Sequence, residues 1–211
     1  MSHKCQICSE ITYEKTDRKG RIFHFCRNCR FISLDSSFFL TPEQEKKRYE
    51  LHNNTLENQG YKKWLNSFID QAVSPYVPVH GQILDFGSGP NPVLKILLEQ
   101  KGFSVNIYDK YFYDVPFSGL YDTITATEVM EHIASPVQLL DTLKKSLKTK
   151  GHLAIKTEFR PDKDEDFLKW WYKEDPTHIS FFSRHTFNIL SDKIGLGVIF
   201  SDNFSIIIFR N

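Results

Sequence analysis

Three groups of residues in this 211-residue chain have the types and spacing to do chemistry. The first is a pair of C-x-x-C units, Cys5-Gln6-Ile7-Cys8 and Cys26-Arg27-Asn28-Cys29, whose separation matches a structural zinc site. Four thiolates close a tetrahedral site and leave no position for a substrate, so this metal would hold structure rather than react. Paired disulfides are the alternative, and nothing in the sequence points to the oxidising compartment they need. The second group is Gly87-Ser88-Gly89, entered from the apolar run Ile83-Leu84-Asp85-Phe86 and followed by the helical pattern Val93 to Leu98. Glycines between a strand and a helix let a ligand lie against the backbone. Pro90-Asn91-Pro92 replaces the third glycine of a dinucleotide fingerprint, so a smaller nucleoside cofactor fits better. Asp109 stands about twenty residues further on, at the end of the next strand, where a carboxylate accepts hydrogen bonds from ribose hydroxyls. The third group pairs carboxylates with histidines: Glu128, Glu131 and His132, then Asp175 and His178. An imidazole with an ordinary pKa near ~6.5 can take a proton at neutral pH, which makes His178 the candidate general base. A histidine that only hydrogen-bonds to hold its loop is the other reading of the same residue.

The elements that must position these groups follow from periodicity and turn chemistry. Ile11–Lys15 and Arg21–Phe25 read as strands joined at Asp17-Arg18-Lys19-Gly20, a ribbon hairpin too short to fold without its metal. Thr41-Pro42-Glu43-Gln44 is a capping box that opens a helix carrying Tyr49 and His52. A second helix runs through Tyr61–Ile69 and stops at Ser74-Pro75. Only Lys110 to Leu120 separate Asp109 from the strand at Tyr121, so the third strand of an open α/β sheet is reduced or absent. Tyr111 or Phe112 then packs on a purine, or covers the sheet edge. A helix opened by Ser135-Pro136 is expected to run through Leu147 and close at Lys150-Gly151, before a strand at Leu153–Lys156. Ligands of such sheets bind outside the carboxyl ends of the strands, which brings Thr127, Glu128, Glu131, His132 and Glu158 to one rim. The aromatic segment Phe159 to Ser183 is too long for a plain connection and sits where an acceptor would lie. Asp202-Asn203 joins two closing strands as a hairpin.

Leu84-Asp85-Phe86-Gly87-Ser88-Gly89, Asp109 and the segment Tyr121 to His132 together resemble the class I S-adenosylmethionine-dependent methyltransferases. With the four cysteines and the run Trp170 to Ser183, the whole chain resembles a bacterial subfamily carrying an N-terminal zinc ribbon. The resemblance implies a Rossmann-like α/β methyltransferase sheet with helices on both faces and its last strand antiparallel in the C-terminal hairpin. It implies a ribbon over residues 1–35, a helical lid over 36–80 and the methyltransferase core over 81–211. The implied cofactors are S-adenosylmethionine and a structural Zn2+ on Cys5, Cys8, Cys26 and Cys29. The implied cofactor contacts are Asp85, Phe86, Gly87, Ser88, Gly89, Asp109, Lys110, Tyr111, Thr127 and Glu128, with Tyr49 and His52 from the lid. Glu-x-x-Glu-His also resembles the fourth-strand motif of quinone-type O-methyltransferases, which implies a divalent cation near the acceptor; capping of the next helix by Glu131-His132 is the alternative. His178, Glu131 and His132 are the catalytic candidates.

Composition bounds the partners. The formal net charge of +1 gives no global pull toward nucleic acid or anionic lipid. From Met1 to Phe31 the chain holds seven Lys or Arg against three carboxylates, a local excess that would suit RNA docking. A small-molecule acceptor is the leading expectation; an RNA acceptor docked on the ribbon, or a binding module without turnover, are the alternatives. No apolar run approaches the ~20 residues that span a bilayer, so no membrane partner and a cytoplasmic location are expected. The acceptor's identity, the methylated atom and the oligomeric state are not legible.

Overall fold

The computed structural model describes residues 3–51 and 54–211, so His52, expected at the cofactor, lies outside the described residues. The chain begins with β1 (Tyr13–Thr16) and β2 (Ile22–Phe25), an antiparallel hairpin. Its turn is fixed by the Asp17 carboxylate, which accepts from the amides of Lys19 and Arg21. β3 (Ile32–Leu34) adds to β2. α1 (Pro42–Glu50) starts at the expected capping box, with Thr41 and Gln44 bonding reciprocally, and buries none of its residues. α2 (Gln59–Ala72) is amphipathic and sinks Leu65, Phe68, Ile69 and Ala72 into the core.

The main body then runs β4 (Gln82–Phe86), α3 (Val93–Gln100), β5 (Ser104–Tyr108), β6 (Tyr121–Thr127), α4 (Pro136–Lys145) and β7 (Leu147–Lys156). It continues through α5 (Asp164–Lys169), β8 (Ser180–Phe181), α6 (Arg184–Ile194), β9 (Gly197–Ser201) and β10 (Ile206–Arg210). Among the described residues, the larger sheet has six strands in the order β5-β4-β6-β7-β10-β9. β4, β5, β6 and β7 are parallel, and β10 is antiparallel to both neighbours. This is the Rossmann-like sheet expected, ending at β5 where a third strand would otherwise pair. The chain leaves β4 to form β5 on one side, and β6 lies on the other. That makes the carboxyl end of β4 a switch point, the usual place for a ligand in such sheets.

One expected boundary is corrected. Leu147 does not extend α4 to Lys150; it begins β7, paired with Tyr121. The register then shifts, so that Thr123 faces His152. Leu143 and Leu147 mimic helical spacing, but the β6 ladder captures Leu147, and Lys150 at φ 63° turns the extra residues outward.

A second sheet joins distant parts of the chain in the order β1-β2-β3-β8. Ile32 pairs with Phe181 and Ser33 with Ser180, so the ribbon and the late aromatic segment share one sheet. Beneath it Phe167 lies edge-on to Phe23, Phe25 and Phe181 at 5.3, 5.5 and 5.0 Å. Lys173, 1% exposed, pairs with Asp17, whose side chain is also shielded and which also holds Arg21. No helix among the described residues is long and apolar enough to cross a membrane.

Candidate functional site

A cavity of about 540 Å³ opens over the carboxyl ends of β4 and β6, within the ~300–1,000 Å³ range of small-molecule sites. Phe86, Gly87, Ser88 and Gly89 form its floor. Gly87 has φ 79°, and a Cβ there would stand 2.3 Å from Val129 Cγ2, so only glycine fits. The amides of Gly87 and Ser88 donate to Tyr108 O, binding the turn to the end of β5. Asp109 is fixed by three backbone amides: Gly89 N at 2.9 Å on Oδ2, with Tyr111 N at 2.9 Å and Phe112 N at 3.3 Å on Oδ1. Its carboxylate lies at the cavity wall with acceptor capacity left over. Ser88 Oγ and Thr127 Oγ1 are buried in the same wall with no hydrogen-bond partner.

The far side is closed by α1. Glu45 accepts from Tyr111 Oη at 2.6 Å, Tyr49 Oη at 2.5 Å and Lys110 Nζ at 2.9 Å. Arg48 donates to Asp175 Oδ2 from Nε at 3.1 Å and Nη2 at 2.7 Å. With no apolar residue buried, this helix is held over the cavity by polar contacts, the kind of element that opens at low cost. Replacing Glu45 by alanine is expected to raise the dissociation rate of a bound cofactor about tenfold, the worth of one charge-assisted hydrogen bond. Stopped-flow release with an unchanged melting temperature is the measurement.

Deeper in, Glu128 takes φ 53°, a left-handed conformation that is strained for a residue with a Cβ. Burial, then the neighbouring Glu131 carboxylate, pushes its pKa well above the carboxylate range. Tyr172 Oη donates to Glu131 Oε1 at 2.6 Å and lies 3.0 Å from Glu128 Oε2. Glu131 is fully buried, and its Oε2 has no partner. His132 Nδ1 donates to Thr177 O at 3.0 Å and His178 Nδ1 to Tyr172 O at 2.7 Å, since a carbonyl can only accept. Both rings line the cavity, 4.8 Å apart. Burial pulls the His178 pKa down to about 4, against the raising effect of Glu131, so the ring is neutral and a weaker base than its sequence suggests. Asp175 caps the turn that presents it, accepting from Thr177 N and Oγ1. Burial opposes the ionised form of that carboxyl, but Arg48 and Thr177 hold its pKa well below the usual range.

At the other end of the chain the sulfurs of Cys5, Cys8, Cys26 and Cys29 lie within 4.8 Å of one another. The closest pairs, Cys5 with Cys29 and Cys8 with Cys26, are 3.4 Å apart, well beyond a ~2.05 Å disulfide bond. The range from 3.4 Å to 4.8 Å includes the ~3.8 Å edge of a tetrahedron with ~2.3 Å metal–sulfur bonds. The four free thiols suit a tetrahedral zinc.

Most of the residues expected at a cofactor meet in the one cavity: Tyr49, Phe86 to Gly89, Asp109 to Tyr111, Thr127 and Glu128, with His132 and His178. Asp85 does not line it. That carboxyl is buried under the floor, bonded to Thr125 Oγ1, and burial pushes its pKa up to about 7. Phe112 is also outside the lining; the Lys46 ammonium lies 5.7 Å over its ring. Glu45, Arg48 and Tyr172 went unrecognised in the sequence because their partners lie far away along the chain. Trp64 lines the cavity too, and its helical spacing marked it only as an apolar face.

Residues 59–199 match a family model described as a methyltransferase domain. The S-adenosylmethionine-dependent methyltransferase from Mesorhizobium loti shares 12% identity over 74% of this chain and 100% of its own, at a TM-score of 0.50. A SAM-dependent methyltransferase from Leishmania major shares 13% over 80% and 81% of the two chains, at 0.53. The O-methyltransferase family 2 protein from Planctomyces limnophilus, in complex with apigenin, shares 15% over 79% and 62%, at 0.55. At these identities the likeness is one of fold. No curated protein matches the chain by sequence.

Proposed function

The chain belongs to the methyltransferase-domain family, and from that premise we propose that it methylates a small-molecule acceptor in the cavity between α1 and the strand ends, using S-adenosylmethionine. The carrying observation is the cavity over Gly87, with the Asp109 carboxylate held at its wall by three amides. Ser88 Oγ and Thr127 Oγ1, buried there without partners, fit a ligand that supplies polar atoms. S-adenosylmethionine, when bound, supplies an electrophilic methyl group on a sulfonium. The chain's part is to hold and orient. Asp109 takes the ribose hydroxyls, Gly87 lets the ligand lie on the backbone, and α1 excludes water through Tyr49 and through Glu45, which holds Tyr111. His132, His178 and Glu131 are the groups assigned to the acceptor and its proton.

Asp109→Ala removes a charge-assisted acceptor worth ~1.5–3 kcal/mol, so calorimetry should show S-adenosylmethionine affinity falling roughly ten- to a hundredfold. Equal affinity in the variant would place the ribose elsewhere.

The thiol cluster supports the finer reading of a ribbon-bearing subfamily with a structural zinc. An RNA acceptor docked on the ribbon finds less support. Lys15 pairs with Asp164 and Glu165, Lys19 and Arg21 with Glu174, and Arg30 with Asp162, while Arg27 lies 4.8 Å over the Tyr13 ring. Except for Arg27, whose ring partner lies in the ribbon itself, these cations join the ribbon to the body of the chain rather than standing ready for phosphates.

A further inference from the structure

We propose that Glu131, His132 and His178 form a binding site for a divalent transition-metal ion in the cavity wall, distinct from the cysteine cluster. One donor atom from each of the three residues lies within 4.8 Å of the others. Ligands ~2.0–2.2 Å from a common ion stand roughly 3–4 Å apart, so small side-chain rotations close the set. The two histidines come from segments far apart in the sequence and yet are prepared in the same way. His132 Nδ1 donates to Thr177 O and His178 Nδ1 to Tyr172 O. Such outer hydrogen bonds fix ring and tautomer in metal-binding histidines, leaving Nε2 as the donor atom of a neutral ring.

Glu131 supplies the independent observation. It is wholly buried, one oxygen accepts from Tyr172 Oη at 2.6 Å, and the other has no partner. A buried carboxylate oxygen left bare is unfavourable, and a cation is the partner that would satisfy it. Glu128 stands outside the set. The donors are therefore two imidazoles, His178 from the turn before β8 and His132 from the turn after β6, with the Glu131 carboxylate beside them.

Two imidazoles and a carboxylate suit zinc, iron(II), manganese or cobalt, with coordination positions left open. Those positions face the cavity, where an ion would bind an acceptor through oxygen, as a hydroxyl or an enol. That acceptor class rests on the methyltransferase reading; the metal site does not.

The test uses the full chain, dialysed against zinc in micromolar excess and then freed of unbound metal, with zinc per chain measured by elemental analysis. Two ions are expected in the unaltered protein, and one, on the cysteines, in Glu131→Gln and in His178→Ala. A cooperative thermal unfolding transition within about 5 °C of that of the unaltered protein, measured on the same samples, shows that both variants are folded. One zinc in the unaltered protein, or a second zinc that survives both substitutions, overturns the site. A second zinc lost as expected in a protein that never binds S-adenosylmethionine keeps the site and removes the methyltransferase reading.

Discussion

Stripping the ribbon of its metal, or replacing Cys26 by serine, is expected to cut methyl transfer by about a hundredfold or more. Metal binding by a small thiolate site supplies ~10–16 kcal/mol of folding free energy, as much as the ~5–15 kcal/mol of a whole domain. The ribbon hairpin without it has no fold of its own to keep. Its loss would travel to the site through identified contacts. β3 holds β8, whose neighbour Ile179 donates from its amide to Glu131 O at 2.8 Å. Ser180 Oγ donates to Ile133 O at 2.6 Å, and Thr186 Oγ1 to Cys29 O at 2.8 Å. His178 sits two residues before Ser180, so an unfolded ribbon frees the segment that presents it. A displacement of ~1 Å in a positioning group costs about a hundredfold in rate. Cofactor affinity should change far less, because Gly87 and Asp109 directly follow β4 and β5, strands that belong to the other sheet. Full turnover in a metal-free sample would show that the ribbon is an ornament to the site.

Gly87→Ala is expected to abolish cofactor binding and to destabilise the fold. The left-handed φ of 79° costs a residue with a Cβ ~1–2 kcal/mol. The new methyl, 2.3 Å from Val129 Cγ2, adds ~1–3 kcal/mol of overpacking. Together these lower the melting temperature by about 5–15 °C for a chain of this size. Gly89→Ala makes the control: φ is also positive, at 66°, but a Cβ there meets nothing within 4 Å. Its loss should be limited to the strain. Differential scanning calorimetry with and without S-adenosylmethionine separates the two effects, and equal behaviour of the two variants would contradict the floor assigned to Gly87.

Local chemistry in the sequence located the glycine turn, Asp109, the missing third strand and the closing hairpin, because each is set by residues close together in the chain. The hairpin shows why: Asp202 accepts from the amides of Phe204, Ser205 and Ile206 within its own turn. The second sheet was not legible, since the pairing of Ile32 with Phe181 has no periodicity of its own. Tyr172 was visible only as one aromatic among many, and its two carboxylate partners fix its place. Asp85 shows the opposite error. Its position at the end of β4 suggested a ligand contact, but successive residues of a strand alternate faces, and its side chain goes under the floor to Thr125.

The central claim is methyl transfer from S-adenosylmethionine to a small acceptor. It is tested most directly by incubating zinc-loaded protein with cell extract fractionated by size and with S-adenosylmethionine labelled in its methyl group. The label is expected in the small-molecule fraction, at a rate lowered by Asp109→Ala and little affected by salt. Label in the RNA fraction, falling steeply as salt rises, would contradict the small-molecule acceptor. No label in any fraction, from a protein that binds the cofactor, would contradict the enzyme.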